Sequence, residues 1–287
     1  MARLSVARLS EARLSLAELS LAEAPKPLRQ LDASAIVGVL TDIDDTMTTD
    51  GQMTAAAYRA MCNLANAGLA IIPVTGRSAG WAHMVAKTWP VAAVVAESGG
   101  LYFAQRRFAL RLVLHDDAAH IAHERLRLER CAARVMAQVP GLRPASDNAF
   151  RLVDLALDYC EEVRRVPAPQ VALALAMFRA DGFNARASSV HINAWSGQFD
   201  KAPMALRAIH ESLPKRRYAN TDRWLFIGDA PNDESMFGRF RNSVGVANIA
   251  PSLASMSARP RFITRNAKGA GFVELAKHLL LQRSQPD

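Results

Sequence analysis

Short apolar runs that end in carboxylates limit most sharply what this chain can fold into. Residues 36 to 41 lead into Asp42-Ile43-Asp44-Asp45-Thr46, and residues 224 to 227 lead into Gly228-Asp229-Ala230-Pro231-Asn232-Asp233. Between them, residues 69 to 74 lead to Thr75-Gly76-Arg77, and Lys201 opens a stretch of helical periodicity. With the runs as neighbouring strands, three or four carboxylates meet at one sheet edge, an arrangement that is unstable unless a cation sits among them. The motifs therefore predict a metal site.

The remaining periodicity supports such a sheet. Further β-rich runs fall at 91–96 and 243–247, and helical-period stretches at 53–67, 79–88, 202–212, 233–239 and 270–282 alternate with the strands. Short continuous apolar strands alternating with helices predict an α/β fold, a Rossmann-like doubly wound parallel sheet covered on both faces. Ligands in such folds bind beyond the carboxyl ends of the strands, where the motifs fall. Only 28 residues separate Thr46 from Thr75, room for one helix and one strand, whereas 123 separate Arg77 from Lys201. The second gap predicts an inserted α+β cap over 101–195, between core segments 36–100 and 196–287. Its strands are expected at 101–104, 107–114, 150–159 and 184–195, and its helices at 118–138 and 167–181.

Ahead of the core, residues 1–35 read as a low-complexity extension. Ala-Arg-Leu-Ser begins at Ala2, Ala7 and Ala12, and Ala-Glu-Leu-Ser follows at Ala17. A period of five rotates successive leucines around a helix and builds no apolar stripe, and four copies would make about one solenoid coil, too few to enclose a core. Three cysteines, Cys62, Cys131 and Cys160, are widely spaced and form neither a disulfide framework nor a zinc knuckle, which fits a reducing cytoplasm. No apolar stretch approaches the ~20 residues that span a bilayer. The net charge of +8 comes from dispersed basic residues, with 29 arginines against 6 lysines and no compact basic helix. That reads as a compositional bias with attraction for small anions, and no nucleic-acid partner is expected. His115, Asp116, Asp117, His120, His123 and Glu124 fit no known zinc-ligand spacing and read as a solvated helix start.

Taken in order and spacing, the four motifs resemble the haloacid dehalogenase-like hydrolase superfamily over residues 36–283. Within it they resemble the subclass IIB phosphatases with a late-inserted C2-type cap, the Cof, sucrose-phosphate phosphatase and mannosyl-3-phosphoglycerate phosphatase group. The resemblance implies that Asp42 is the nucleophile, forming an aspartyl-phosphate that divides one difficult displacement into two steps. Asp44, two residues on, would protonate the leaving alkoxide and then take a proton from the attacking water. Thr75 and the backbone N–H groups of Gly76 and Arg77 would bind phosphoryl oxygens at a helix start, together with Lys201 and Asn232. Lys201 would offset the charge of Asp42 and phosphate with a compact ammonium, which arginine's planar fork does not replace. The expected cofactor is Mg²⁺, held through Asp42, the Asp44 carbonyl and Asp229, with Asp233 orienting ligands or their waters.

The chain departs from the family pattern twice. Asp45 stands where most relatives have Gly, and Glu97-Ser98-Gly99-Gly100 stands where relatives often have Glu-Asn-Gly. In the cap, period-two alternation puts Asp154 and Asp158 on one face of a strand, with His191 and Asn193 opposite Val190, Ile192 and Ala194 on another. These four are the candidate substrate contacts. The expected activity is Mg²⁺-dependent hydrolysis of a small phosphomonoester, a sugar or sugar-acid phosphate. One alternative is a phosphotransferase or mutase using the same site, which would pass the phosphoryl group to a second sugar hydroxyl. The other is a non-catalytic, Arg-rich nucleic-acid-binding protein.

Overall fold

The computed structural model describes residues 24–283 apart from 106, 108 and 117, so the N-terminal repeat lies outside the described residues. Its central sheet is parallel throughout, with strand order β1 (Lys26–Pro27), β13 (Phe262–Ile263), β12 (Asn242–Gly245), β11 (Trp224–Gly228), β2 (Gly38–Thr41) and β3 (Ala70–Pro73). Alternate residues of each strand serve opposite layers, as the pleat requires. Leu40, Ile72 and Phe226 face one cluster with Ala205 and Ile209 of α5 (Lys201–Ser212). Val39, Ile71, Leu225 and Ile227 face the other, with Met61 of α1 (Ala55–Asn66) and Phe272 of α7 (Lys268–Arg283). Both faces are thus covered, which is why the strands read as unbroken apolar runs.

Residues 26 to 33, assigned above to the extension, pack into this core. Lys26 and Pro27 pair with Phe262 and Ile263, and Leu28, Leu31 and Ala33 are buried against the α1–α7 layer.

The strand β4 (Ala93–Ala96) joins the core sheet through one parallel bridge, Val74 to Val95, and its other edge pairs antiparallel with β5 (Leu101–Gln105), which pairs in turn with β6 (Leu110–Leu114). Of the strands expected at 101–104 and 107–114 in the cap sheet, the first therefore hydrogen-bonds with a core strand and the second with the first. They pack beneath α2 (Ala79–Thr88) through Leu101 and Phe103 against Ala82 and Val85.

A separate antiparallel sheet has the order β7 (Arg143–Pro144), β8 (Leu155–Asp158), β10 (His191–Trp195) and β9 (Asn184–Ala187). Its apolar face, with Leu157 and Ile192, is covered by α3 (Ala118–Gln138) through Leu128 and Val135, and by α4 (Ala168–Ala180) through Phe178. Two of the expected strands are shorter here. Residues 184–195 form a hairpin that turns at 188–190, and 146–150 form a 3₁₀ turn ahead of β8, so that Arg151 folds inward rather than lying along a strand. Among the described residues, no helix is long and apolar enough to cross a membrane.

Candidate active site

Asp42 leaves β2 at the carboxyl edge of the sheet, its N–H donating to the Ile227 carbonyl of β11. The loop after it is pinned by the amides of Thr46, Met47 and Thr48, which all donate to the Ile43 carbonyl. Asp45 sits in the left-handed region, φ 55°, a conformation that Asp tolerates better than most residues, so its place at the family's glycine position carries no distortion. On β11, Gly228 is required by close approach, because a Cβ there would lie 2.3 Å from Asp233 Oδ2. That oxygen accepts the Asp229 N–H at 3.2 Å and holds the acidic turn closed.

Lys201 begins α5, and its N–H is capped by Asp200 Oδ1. Gly99, at φ +100°, packs against this cap so closely that a Cβ would meet the Asp200 carbonyl oxygen at 2.2 Å. The fully buried ammonium donates to Asp42 Oδ1 at 2.9 Å and to Asp233 Oδ1 at 2.7 Å. Burial works against the Lys201 charge, but Asp233 and Asp42 outweigh it and raise the pKa.

Carboxylate oxygens of Asp42, Asp229 and Asp233 lie within 4.8 Å of one another, and all three residues are buried. One lysine does not balance them. Burial first, then the charges of Asp233 and Asp44, push Asp42 up to about 8 despite Lys201. Burial and the charges of Asp42, Asp233 and Asp45 raise Asp229 well above the usual carboxylate range. Excess buried negative charge from oxygen donors suits a hard divalent cation. The Asp44 carbonyl accepts no hydrogen bond among the described residues, which leaves it free to join such a ligand set. Asp233 differs from Asp42 and Asp229 because both its oxygens are engaged, one by Lys201 and one by the Asp229 amide. It holds the lysine and the turn.

The Thr75 loop lies just ahead of the helix rather than in its first turn. The helix begins at Ala79, with Ser78 as its N-cap, and its leading amides are taken by carboxylates: Ser78 N–H by Asp147 and Ala79 N–H by Glu97. The Gly76 N–H, by contrast, has no hydrogen-bond partner among the described residues, and Gly76 lines the chamber with Asp42 and Asp44. The Arg77 N–H donates to Thr75 Oγ1 at 3.0 Å, and the hydroxyl keeps its own hydrogen as a donor. The Arg77 guanidinium grips both oxygens of Asp44, at 2.9 and 2.7 Å, and both oxygens of Glu161 from the cap, at 3.1 and 2.6 Å. Asn232 stands beside Asp229 with a buried amide oxygen that has no hydrogen-bond partner among the described residues, a polar atom available to a ligand.

The four cap candidates divide. His191 and Asn193 line a chamber with Asp42, Asp44, Asp229 and Asn232. Asp154 and Asp158 do not face it: Asp154 pairs with Arg151 and accepts from Asn193, and Asp158 accepts the N–H groups of Cys160, Glu161 and Glu162. Alternation places these two acids on a common face but says nothing of the arginine and the turn that consume them. Asn193 and Arg151 also both donate to the Gly76 carbonyl, at 3.0 and 2.9 Å, so the cap holds the backbone of the Thr75-Gly76-Arg77 loop directly.

Glu97 resolves the unusual Glu-Ser-Gly-Gly turn. It accepts N–H bonds from Ala79 in the core and from Leu152, Val153 and Asp154 in the cap, joining the two across the crossing. Asn248 also escaped the sequence reading. Its Nδ2 donates to Asp229 Oδ2 and to the Asp45 carbonyl, each at 3.1 Å. It follows the end of β12, the next strand along the same edge, and that position is the signal that could have found it. Glu161 had no such signal, since it comes from a cap turn.

The chamber holds about 10 Å³, room for about one water, and opens into a cavity of about 620 Å³ between cap and core that shares Asp229 and Asn232 with it.

No family model and no curated relative matches the sequence. Solved structures do match its fold. A Thermoplasma acidophilum protein superposes with a TM-score of 0.65 at 19% identity, over 86% of this chain and 99% of its own. The C-terminal domain of C. albicans trehalose-6-phosphate phosphatase gives 0.65 at 15%, over 92% and 99%. Synechocystis sucrose-phosphatase, solved with sucrose and phosphate, gives 0.59 at 17%, over 85% and 98%. A haloacid dehalogenase-like hydrolase from Bacteroides thetaiotaomicron gives 0.58 at 12%, over 85% and 99%. With its parallel sheet, strand-end acids and late-inserted α+β cap, this chain adopts the fold of the haloacid dehalogenase-like hydrolases.

Proposed function

We propose that the protein is a Mg²⁺-dependent phosphatase that hydrolyses a small phosphomonoester through an aspartyl-phosphate on Asp42. The observation that carries this reading is the trio of buried carboxylates, Asp42, Asp229 and Asp233, within 4.8 Å of one another with Lys201 bonded to two of them. Asp42 and Asp229 with the Asp44 carbonyl would hold the ion, which when bound supplies positive charge beside the nucleophile and the phosphoryl oxygens.

The chain's own groups carry the steps. Lys201 occupies Asp42 Oδ1, which leaves Oδ2 to attack phosphorus as the ester P–O bond breaks. The departing alkoxide takes a proton from Asp44, and the water that later splits the acyl phosphate returns one to it. Thr75 Oγ donates to a phosphoryl oxygen, and the Lys201 ammonium offsets charge in both displacements. Asp44 is free for proton transfer when Arg77 releases it, and Arg77 is tied to Glu161 of the cap, so cap opening and proton transfer are linked through one guanidinium.

The test is phosphate release from a panel of phosphorylated metabolites with Mg²⁺, led by sugar phosphates because two of the similar structures are sucrose- and trehalose-6-phosphate phosphatases. Wild-type turnover that Asp42→Asn lowers by at least about 10⁴-fold supports the reading. Turnover that survives the substitution, or is absent from both proteins, ends it. Transfer to an added sugar without release of free phosphate would identify a phosphotransferase instead. A small phosphorylated metabolite is the partner we propose, and a reducing cytoplasm the compartment, in keeping with three free cysteines.

A further inference from the structure

The large cavity beside the reaction chamber contains more positive charge than its own residues neutralise. Four basic side chains line it, Arg165, Arg179, Arg186 and Lys268. Arg186 is spent on Asp200, at 2.7 and 3.2 Å, and Lys268 on Asp45 and Asp50, at 3.2 and 2.6 Å. Arg165 and Arg179 have no carboxylate partner among the described residues. Arg165 lies over the Tyr159 ring, 5.8 Å from its centre, and Arg179 donates to the Ala185 carbonyl. Of the acids in the cavity wall, Asp229 belongs to the metal set and Glu234 accepts the Ser257 amide.

The reaction chamber holds about 10 Å³, and the larger cavity that shares Asp229 and Asn232 with it offers the alcohol part of the ester a path past Asn232. Both arginines there belong to the cap, Arg165 to the turn after β8 and Arg179 to α4. We propose that Arg165 and Arg179 form a second anion subsite, which selects phosphomonoesters whose leaving group carries a further carboxylate or phosphate. This rests on the phosphatase reading for the reaction but not for the binding. Guanidinium pairs of this kind recognise oxyanions by charge-assisted hydrogen bonds. Both side chains are reached by solvent, so the preference should be about tenfold or somewhat more and should shrink as salt rises.

The matched probes are glucose 6-phosphate, 6-phosphogluconate and glucose 1,6-bisphosphate, titrated calorimetrically into Mg²⁺-loaded Asp42→Asn protein. The expected result is binding of one or both of the more highly charged probes at least about tenfold tighter than glucose 6-phosphate. Which of the two is preferred tells whether carboxylate or phosphate is the natural group. Adding Arg165→Ala and Arg179→Ala should remove that preference while leaving glucose 6-phosphate within about threefold, and Arg179→Glu should reverse it. Equal affinity for all three, including no measurable binding, overturns the subsite, and so does a double variant that weakens all three alike. The same probes in a turnover assay separate the two readings. Turnover without preference ends the subsite and leaves the phosphatase, whereas preferential binding without turnover does the reverse.

Discussion

Two buried polar clusters in this molecule each set aspartates around a single cation and behave differently. In the core, Asp42, Asp229 and Asp233 surround one lysine, and burial leaves Asp42 pushed up to about 8 because positive charge is short. In the cap, Arg151 is buried with Asp147 on one side and Asp154 on the other, bonded to each at 3.0 and 2.8 Å, and a further N–H reaches the Gly76 carbonyl. Burial and the repulsion of neighbouring acids oppose ionisation in both places. The cap cluster, however, closes on itself through hydrogen bonds, whereas among the described residues the core cluster leaves the Asn232 amide oxygen, the Asp44 carbonyl and Asp42 Oδ2 without partners. A closed buried network is architecture, and one with open valences is waiting for a ligand.

That contrast is broken most severely at Asp229. Asp229→Asn should lower turnover by at least about 10³-fold and abolish the rise in melting temperature that millimolar Mg²⁺ gives the wild type. A Mg²⁺-induced shift that survives in the variant would place the ion elsewhere. In the cap the loss should fall on stability instead. Asp154→Ala leaves Arg151 short of a partner in a dry site, and urea unfolding should show a loss of about 3 kcal/mol or more. A change under about 1 kcal/mol would mean that the network is not the tie between cap and core described here.

A smaller effect sharpens the geometry of the core cluster. Gly228→Ala forces a methyl against Asp233 Oδ2, so kcat/KM should drop about 100-fold with the fold intact, as circular dichroism would show. Unchanged kinetics would mean that the turn has slack. The smallest effect concerns Glu161, which His191 and Arg77 hold down to about 2 against the opposing influence of burial. A depressed carboxyl adds stability that is fully present above its ordinary pKa of 4.5 and disappears as pH falls through about 2. The melting-temperature difference between wild type and Glu161→Gln should therefore be constant above about pH 5 and close toward pH 2. A difference independent of pH would show that the contact between Arg77 and Glu161 adds no ionic stabilisation.

The readings that held from sequence were those whose physics is local. Asp42 and Asp229 follow apolar runs that can only be buried strands, and a residue that ends such a run must emerge at the carboxyl edge. The helix at 118–138 and the helix at 79–88 match their expected bounds because a sustained 3.6-residue period has one solution. The cap strands were harder. Residues 150–159 alternate like a strand, but the side chain of Arg151 is drawn between Asp147 and Asp154, and β8 begins only at Leu155. Residues 101 to 114 have ordinary β patterning, and their pairing with β4 rather than with the cap sheet depends on which open edge lies nearby.

Sequence by itself determined four strands of the sheet, β2, β3, β11 and β12, the order of the motifs and the edge at which the acids gather, because apolar runs and strand ends are properties of consecutive residues. Only the tertiary structure decided how each acid is used. Asp233 holds Lys201, Asn248 holds Asp229, Arg77 joins Asp44 to the cap through Glu161, and Asp154 and Asp158 turn inward. Hydrogen bonds form between atoms within about 3 Å whatever their separation along the chain, so Asp42 and Lys201, 159 positions apart, become neighbours only when the core has folded, and Arg77 and Glu161, 84 apart, only when core and cap have packed.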